Sequence, residues 1–270
     1  MPDLGHFRLH VERWGSGPPI VLLHGGASSS AQWRRLRPLL EDRYQLIAPD
    51  LVGCGQTPAW PKKEIVGHDT QADLVAAELG GGHAAPVTLV GHSFGGAIAV
   101  RLVIRYPHLV RSLVLIEPIL MVLLRDAGDP LFPEYEALAT GFIADAAAGR
   151  PEAAWAAYLD YRQGAGTWAA LSADAKARVV ENTASGAEAL ITNLAHPTRL
   201  DDCRRIVVPT TIMCGERTTS PDRRVTEVLR DAVPGSHYVT ITGAGHMSPL
   251  THPADVAEAI THHLARCGSD

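Results

Sequence analysis

Short apolar runs recur along the first part of the chain, at Ile20 to Leu23, Tyr44 to Ala48, Val87 to Val90 and Leu113 to Ile116. They are nearly continuous Ile, Val and Leu, the pattern of parallel strands buried on both faces. Phe7 to Arg13 reads differently: Phe7, Leu9 and Val11 alternate with Arg8, His10 and Glu12. One face of that strand is solvated, which predicts an antiparallel edge strand. Between the runs, helical spacing predicts helices over Gln32 to Leu40, Thr70 to Leu79 and Gly95 to Tyr106, the last stopped by Pro107. Strands and helices in alternation predict an α/β fold, a mostly parallel central sheet flanked by helices.

From Pro118 to about Arg205 the β-branched runs vanish, and the chain becomes alanine-rich and helical, carrying Trp155, Tyr158, Tyr161 and Trp168. The strand–helix pattern then returns as strand Thr210 to Cys214, helix Asp222 to Val233, strand Tyr238 to Ile241 and helix Pro253 to Ala265. The expected organisation is a core made of residues 1–117 and 206–270, with a helical lobe of residues 118–205 inserted into it. No internal repeat is visible, and the loose-looking stretches are Gly80-Gly81-Gly82 and Gly268-Ser269-Asp270.

Composition narrows the class. The 270 residues carry 24 basic and 29 acidic side chains, for a formal net charge of −5, which excludes a strongly basic nucleic-acid binder. With 46% hydrophobic and 20% charged residues the chain has enough apolar material for a packed core. Met1 is followed by Asp3, His6 and Arg8 rather than by a signal peptide. Nothing approaches the ~18 uninterrupted apolar residues of a membrane span. Cys54, Cys203, Cys214 and Cys267 show neither paired nor zinc-ligand spacing, as for free thiols in a reducing compartment. A cytoplasmic protein acting on a small molecule is expected, with no metal, organic cofactor, nucleic acid or membrane as partner; oligomeric state is left open.

The sharpest chemical feature is Gly91-His92-Ser93-Phe94-Gly95-Gly96, a G-x-S-x-G string. It follows the buried run Val87 to Val90 and leads directly into a helix, which is the strand, sharp turn and helix that a nucleophile elbow requires. A serine hydroxyl is a poor nucleophile at neutral pH, so it needs a base within hydrogen-bond reach, and histidine has the suitable pKa. Thirteen histidines are available. His262 and His263, on the last helix, read as solvated; His92 reads as packing beside the elbow, and His24 as shaping its own loop.

Four pieces taken together resemble the α/β-hydrolase family over nearly the whole chain: His24-Gly25-Gly26, Asp50-Leu51-Val52-Gly53-Cys54-Gly55, the elbow around Ser93, and Gly243-Ala244-Gly245-His246. The resemblance implies that the inserted lobe is a cap, which this family commonly places between the sixth and seventh strands of its core sheet. It makes His246 the base, in the glycine-rich loop before the terminal helix. It gives Asp50 a role in turn geometry. Family members that are dehalogenases or epoxide hydrolases carry aspartate at the elbow, and Ser93 argues against both activities.

The third member departs from the common pattern. Many relatives carry an aspartate three residues after a glycine that follows the next strand, but Cys214-Gly215-Glu216-Arg217-Thr218 puts Thr218 there. A carboxylate must come from elsewhere to hold the far nitrogen of the histidine and stabilise its charged form. Glu117 is the first choice, because it ends the preceding strand on the same sheet edge, where one dehalogenase subgroup carries its acid. Glu216 is the alternative, and a salt bridge to an arginine of the lobe is the structural role open to Glu117. Asp222 reads as a helix cap.

Attack on a carbonyl puts charge on its oxygen, and a backbone N–H aimed there contributes around 3 kcal/mol. Phe94, next after the nucleophile, supplies one donor, and Gly26, with Ala27 as the alternative, supplies the second. Ser28-Ser29-Ser30 reads as a helix cap. Candidate substrate-lining residues in the lobe are Leu120, Met121, Leu124, Phe142, Trp155, Tyr158, Tyr161 and Trp168, although helical spacing equally suits lobe core. The reading is a serine hydrolase that cleaves an ester or similar acyl bond of a small, mainly apolar substrate. Three alternatives stay open: hydrolysis of a C–C bond in a diketone-like compound, a non-hydrolytic cyclase or lyase, and a ligand-binding module with an idle site.

Overall fold

The computed structural model describes residues 6–61, 65–80 and 86–268. Met1 and Asp3, Gly81 and Gly82, and Ser269 and Asp270, all used in reading the sequence, lie outside these. Seven strands form one sheet: β1 (Val11–Trp14), β2 (Pro19–Leu23), β3 (Gln45–Pro49), β4 (Val87–His92), β5 (Val110–Ile116), β6 (Thr210–Gly215) and β7 (His237–Ile241). Their spatial order is β1-β3-β2-β4-β5-β6-β7. Only β1 runs antiparallel, paired with β3 through Glu12 opposite Ala48, and the other five pairings are parallel. The alternating strand is thus the edge strand that its pattern implies. It is shorter than Phe7 to Arg13 because the backbone N–H of His10 leaves the ladder for Thr57 Oγ1, at 2.8 Å.

The continuous apolar runs are buried on both faces. Val21, Leu23, Leu113 and Leu115 join one cluster with Leu74 and Val75 of α1 (His68–Gly80), Ala97 and Ile98 of α2 (Phe94–Arg105) and Val225 and Leu229 of α10 (Ser220–Ala232). Their neighbours Ile20, Leu22, Val114 and Ile116 join a second cluster with Trp33, Leu36 and, from α12 (Pro253–Arg266), Val256 and Ile260. Period-two alternation therefore sends every second side chain to each layer. The helix expected over Gln32 to Leu40 is instead two 3-10 turns, Ser30–Arg35 and Arg37–Leu39. Pro38 has no N–H for a helical hydrogen bond, and its ring blocks the preceding turn.

Between β5 and β6 the chain makes seven helices: α3 (Val122–Asp126), α4 (Leu131–Ala147), α5 (Pro151–Gln163), α6 (Thr167–Ala170), α7 (Ala173–Glu181), α8 (Thr183–Leu194) and α9 (Leu200–Arg204). Phe142, Trp155 and Tyr158 pack edge to face, with ring centroids 5.0 to 6.1 Å apart, and Trp155 Nε1 donates to Thr183 Oγ1. These aromatic side chains tie α4, α5 and α8 to one another. Gly164 and Gly166, with φ of 109° and 85°, break the chain between α5 and α6. No described helix is long and apolar enough to cross a membrane.

Candidate active site

The site lies where β4, β5 and β6 end. β4 leads into a turn at Ser93, whose φ of 52° and ψ of −116° put a non-glycine residue in a strained conformation. Close backbone crossing requires the flanking glycines: a Cβ on Gly91 would sit 2.6 Å from the carbonyl oxygen of Gly95, and one on Gly95 only 2.4 Å from that of Leu23. Ser93 is buried apart from 8% of its surface. α2 begins at Phe94, so the first N–H groups of that helix have no partner within it. Gly26 packs against this point, since a Cβ there would lie 3.6 Å from that of Phe94. Ala27 takes a φ of 53°.

His246 follows β7 in the glycine-rich loop that leads to α11 (Ser248–Thr251). Its Nε2 lies 3.0 Å from Ser93 Oγ and accepts from it, while its Nδ1 donates to Glu117 Oε2 at 2.7 Å. His92 holds the loop from the far side, its Nε2 donating to the carbonyl of His246 at 2.9 Å. Burial pushes His92 down to about 3, which keeps it neutral. His24 donates from Nδ1 to Gly25 and accepts at Nε2 from the N–H of Leu51, pinning its own loop.

Glu117 is the residue after β5 and takes a φ of 42°, outside the range a carboxylate side chain normally allows. That turn leaves it 1% exposed. Its Oε1 accepts from the N–H of Gly215 at 2.6 Å, and its Oε2 accepts from Thr218 Oγ1 at 2.7 Å as well as from His246. Burial alone would raise its pKa, but the hydrogen bonds and charge of His246, with those of Gly215 and Thr218, hold it below the ordinary 4.5. Glu216 is turned away and exposed, accepting from the N–H of Gly243. Asp50 accepts from the N–H groups of Ser30 and Gln56 at 2.6 and 2.8 Å and so shapes its turn.

Two residues sit differently from what their sequence implies, and a third is new to the site. Asp222 does not cap α10, whose N-cap is Thr219; it lies in the first turn, fully buried, its Oδ1 2.8 Å from Arg162 Nη2. His263 is not solvated: it is 1% exposed, its Nδ1 is 2.8 Å from Thr211 Oγ1, and burial takes it to about 4. Arg162, which the sequence reading does not single out, comes from α5 to within 3.5 Å of His246 Nε2. Only its place one residue after Tyr161, on the helix of candidate lining residues, marks it in the sequence. Of those lining candidates, Leu120, Met121 and Leu124 are buried beyond β5, and Tyr158 lies against Arg162 with 5.9 Å from ring to guanidinium. Tyr161 is half-buried, with its hydroxyl enclosed and unpartnered. Trp168 instead stacks with Lys176. Glu117, Asp222 and His246 offer three ligand atoms within 4.8 Å of one another, and the cation beside them is the guanidinium of Arg162.

A carboxylate, an imidazole and a hydroxyl in one hydrogen-bonded row can generate an alkoxide-like nucleophile at neutral pH. Comparisons with known proteins agree with this architecture. A 2-hydroxy-6-oxo-2,4-heptadienoate hydrolase of Pseudomonas putida is 41% identical over 114 residues, 41% of each chain. The lipase LipV of Mycobacterium tuberculosis is 41% identical over 112 residues, again 41% of each. The chain thus spans about two fifths of the length of these curated relatives. An esterase from Exiguobacterium antarcticum superposes with a TM-score of 0.76 at 21% identity, over 95% of each chain. The model of the alpha/beta hydrolase fold matches residues 18–253, taking in the six parallel strands, the elbow and the histidine loop alike, and the chain belongs to that family.

Proposed function

We propose that the protein is a serine hydrolase that cleaves an ester or similar acyl bond of a small, mainly apolar substrate. The observation that carries this reading is the unbroken row from Glu117 through His246 to Ser93, with links of 2.7 and 3.0 Å. Ser93 Oγ attacks the carbonyl carbon while His246 Nε2 takes the hydroxyl proton. Glu117, ionised and triply hydrogen-bonded, stabilises the imidazolium. The N–H groups of Phe94 and Gly26 receive the developing oxyanion. Collapse expels the alcohol, which takes the proton from His246, and leaves an acyl group on Ser93. Water, deprotonated by His246, then releases the acid and restores the hydroxyl. In this reading residues 118–205 act as a cap over the site. The four unlinked cysteines support a reducing, cytoplasmic setting.

Intact mass after exposure to a fluorophosphonate tests the nucleophile directly. One adduct on the wild type and none on Ser93→Ala is expected; no adduct on either would overturn the reading. Hydrolysis of a C–C bond is the second reading, favoured by the likeness to the Pseudomonas putida hydrolase and by a buried arginine at the site. Turnover of p-nitrophenyl esters without turnover of a 2-hydroxy-6-oxo-dienoate separates the two.

A further inference from the structure

Arg162 and Asp222 do nothing in the acyl-transfer steps, yet they form a fully enclosed ion pair at the catalytic base. Their side chains are 4% and 1% exposed. Arg162 Nη2 lies 2.8 Å from Asp222 Oδ1 and 3.5 Å from His246 Nε2, while Asp222 Oδ2 lies 4.0 Å from His246 Nδ1. The two nitrogens of the imidazole therefore face opposite members of one pair. Thr219 Oγ1 reaches both the carbonyl of Arg162 and Asp222 Oδ2, at 3.4 and 3.3 Å, which places a second strut at the same junction. The two partners come from different parts of the fold. Arg162 belongs to α5 of the inserted helices and Asp222 to α10 of the core.

Burying a charge pair is costly, and an apolar pair of similar volume is often as stable. A pair buried 3.5 and 4.0 Å from the nitrogens of the base calls for a role beyond packing. We propose that Arg162 and Asp222 are positioning residues, a latch between the inserted helices and the core that presents His246 with a neutral pair only when those helices are seated. This rests on the acyl-hydrolase reading of Ser93, His246 and Glu117. With the latch closed the two charges offset each other at the imidazole. Withdrawal of α5 removes the cation 3.5 Å from Nε2 and breaks the balance of charge at the imidazole, which disfavours the neutral ring that the attack step requires. Substrate attack is thereby tied to closure.

The groups facing His246 are Glu117 after β5, His92 at the end of β4, Ser93, Asp222 on α10 and Arg162 on α5. Tyr135 of α4, with Tyr158 and Tyr161 of α5, faces the ion pair. Above pH 4.5 His92 is neutral and Glu117 ionised, so neither changes charge there. Asp222 is raised by burial, an effect that the charge of Arg162 opposes.

The test is the rate of fluorophosphonate labelling of Ser93 against pH, in the full chain, where the rising limb reports the base. Arg162→Gln, with Arg162→Met made in parallel in case one fails to fold, removes the cation 3.5 Å from Nε2 and moves the limb up by about one unit or more. Asp222→Asn leaves the guanidinium unopposed and moves the limb down. Arg162→Gln combined with Asp222→Asn returns it to within about half a unit of the wild type, and Arg162→Lys, which keeps the charge, leaves it near the wild type. A pair that only holds helices together would change stability without moving the limb in opposite directions. Labelling with an unmoved limb in both single variants, or shifts of one sign, would overturn the latch and leave the hydrolase reading standing. An unlabelled wild type would overturn the hydrolase reading and the latch with it.

Discussion

Thr218 stands three residues after Gly215, and its hydroxyl donates at 2.7 Å to the carboxylate of Glu117 instead of facing an imidazolium. In the proposed triad the acid stands at the end of the neighbouring strand, and Thr218 is one of its hydrogen-bond donors. The consequence is unequal sensitivity of the two glutamates. Glu117→Gln keeps the volume but removes the charge and disturbs the tautomer of His246, so kcat for an ester should fall by about 10⁴-fold. Glu216→Gln touches only the loop N–H of Gly243 and should leave kcat within a few-fold of the wild type; steady-state kinetics on the two variants checks the assignment. Ser93, His246 and Glu117 are legible in the sequence because local signals mark each: a turn between strand and helix, a glycine-rich loop, and a carboxylate ending an apolar run opposite a misplaced threonine. Arg162 and Asp222 are not legible in this way. Sixty residues separate them, each looks like an ordinary helical charge, and only tertiary packing joins them.

The elements are legible to the extent that one physical cause decides them. Strands buried on both faces leave little room for polar residues, so β2, β3, β4 and β5 stand out in the sequence as apolar runs, and their ends differ from expectation by a few residues at most. Where two causes compete, the pattern misleads. Helical spacing over Gln32 to Leu40 yields to Pro38 and becomes 3-10 turns. Adjacent histidines 262 and 263 look alike in sequence, yet successive residues of a helix point about 100° apart, so one is wet and the other buried against Thr211. The elbow is the element under most constraint. At Gly95 a methyl group would press against the backbone oxygens of Leu23 and His24, at 2.4 and 2.5 Å, which no rotamer change relieves. Gly95→Ala should therefore cost about 2 kcal/mol by forcing β2 and α2 apart, and it should displace Ser93 as well. Urea denaturation followed by circular dichroism, with labelling of Ser93 alongside, measures each effect; a variant with the wild-type midpoint would mean that strand and helix are free to separate.

For the molecule as a whole, buried imidazoles decide how folding depends on acidity. His68 and His92 are held down to about 3 and His263 to about 4, and His24 and His196 are lowered as well, each chiefly by burial that penalises the charged ring. Their folded pKa values lie below the ordinary 6.5, so above that pH neither state is protonated and these imidazoles cost nothing. As pH falls below 6.5 the unfolded chain takes up protons that the folded chain refuses, and stability declines until the folded values are reached. Each refused proton is worth about 1.4 kcal/mol per pH unit, so several together cost a large part of an ordinary domain's stability within a unit or two. The carboxylates act later. Glu117 and Asp50 have folded values below their ordinary 4.5 and 3.8, so the stability they add is present above those values and is lost only beneath them. Acid unfolding should accordingly set in between pH 6 and 4.5, ahead of any carboxylate. Urea midpoints measured at intervals from pH 7.5 to 4.5 should fall steeply through that window, and His263→Asn should make the slope shallower. A slope unchanged in that variant, or a flat profile down to pH 4.5, would move the origin of acid sensitivity from the imidazoles to the carboxylates.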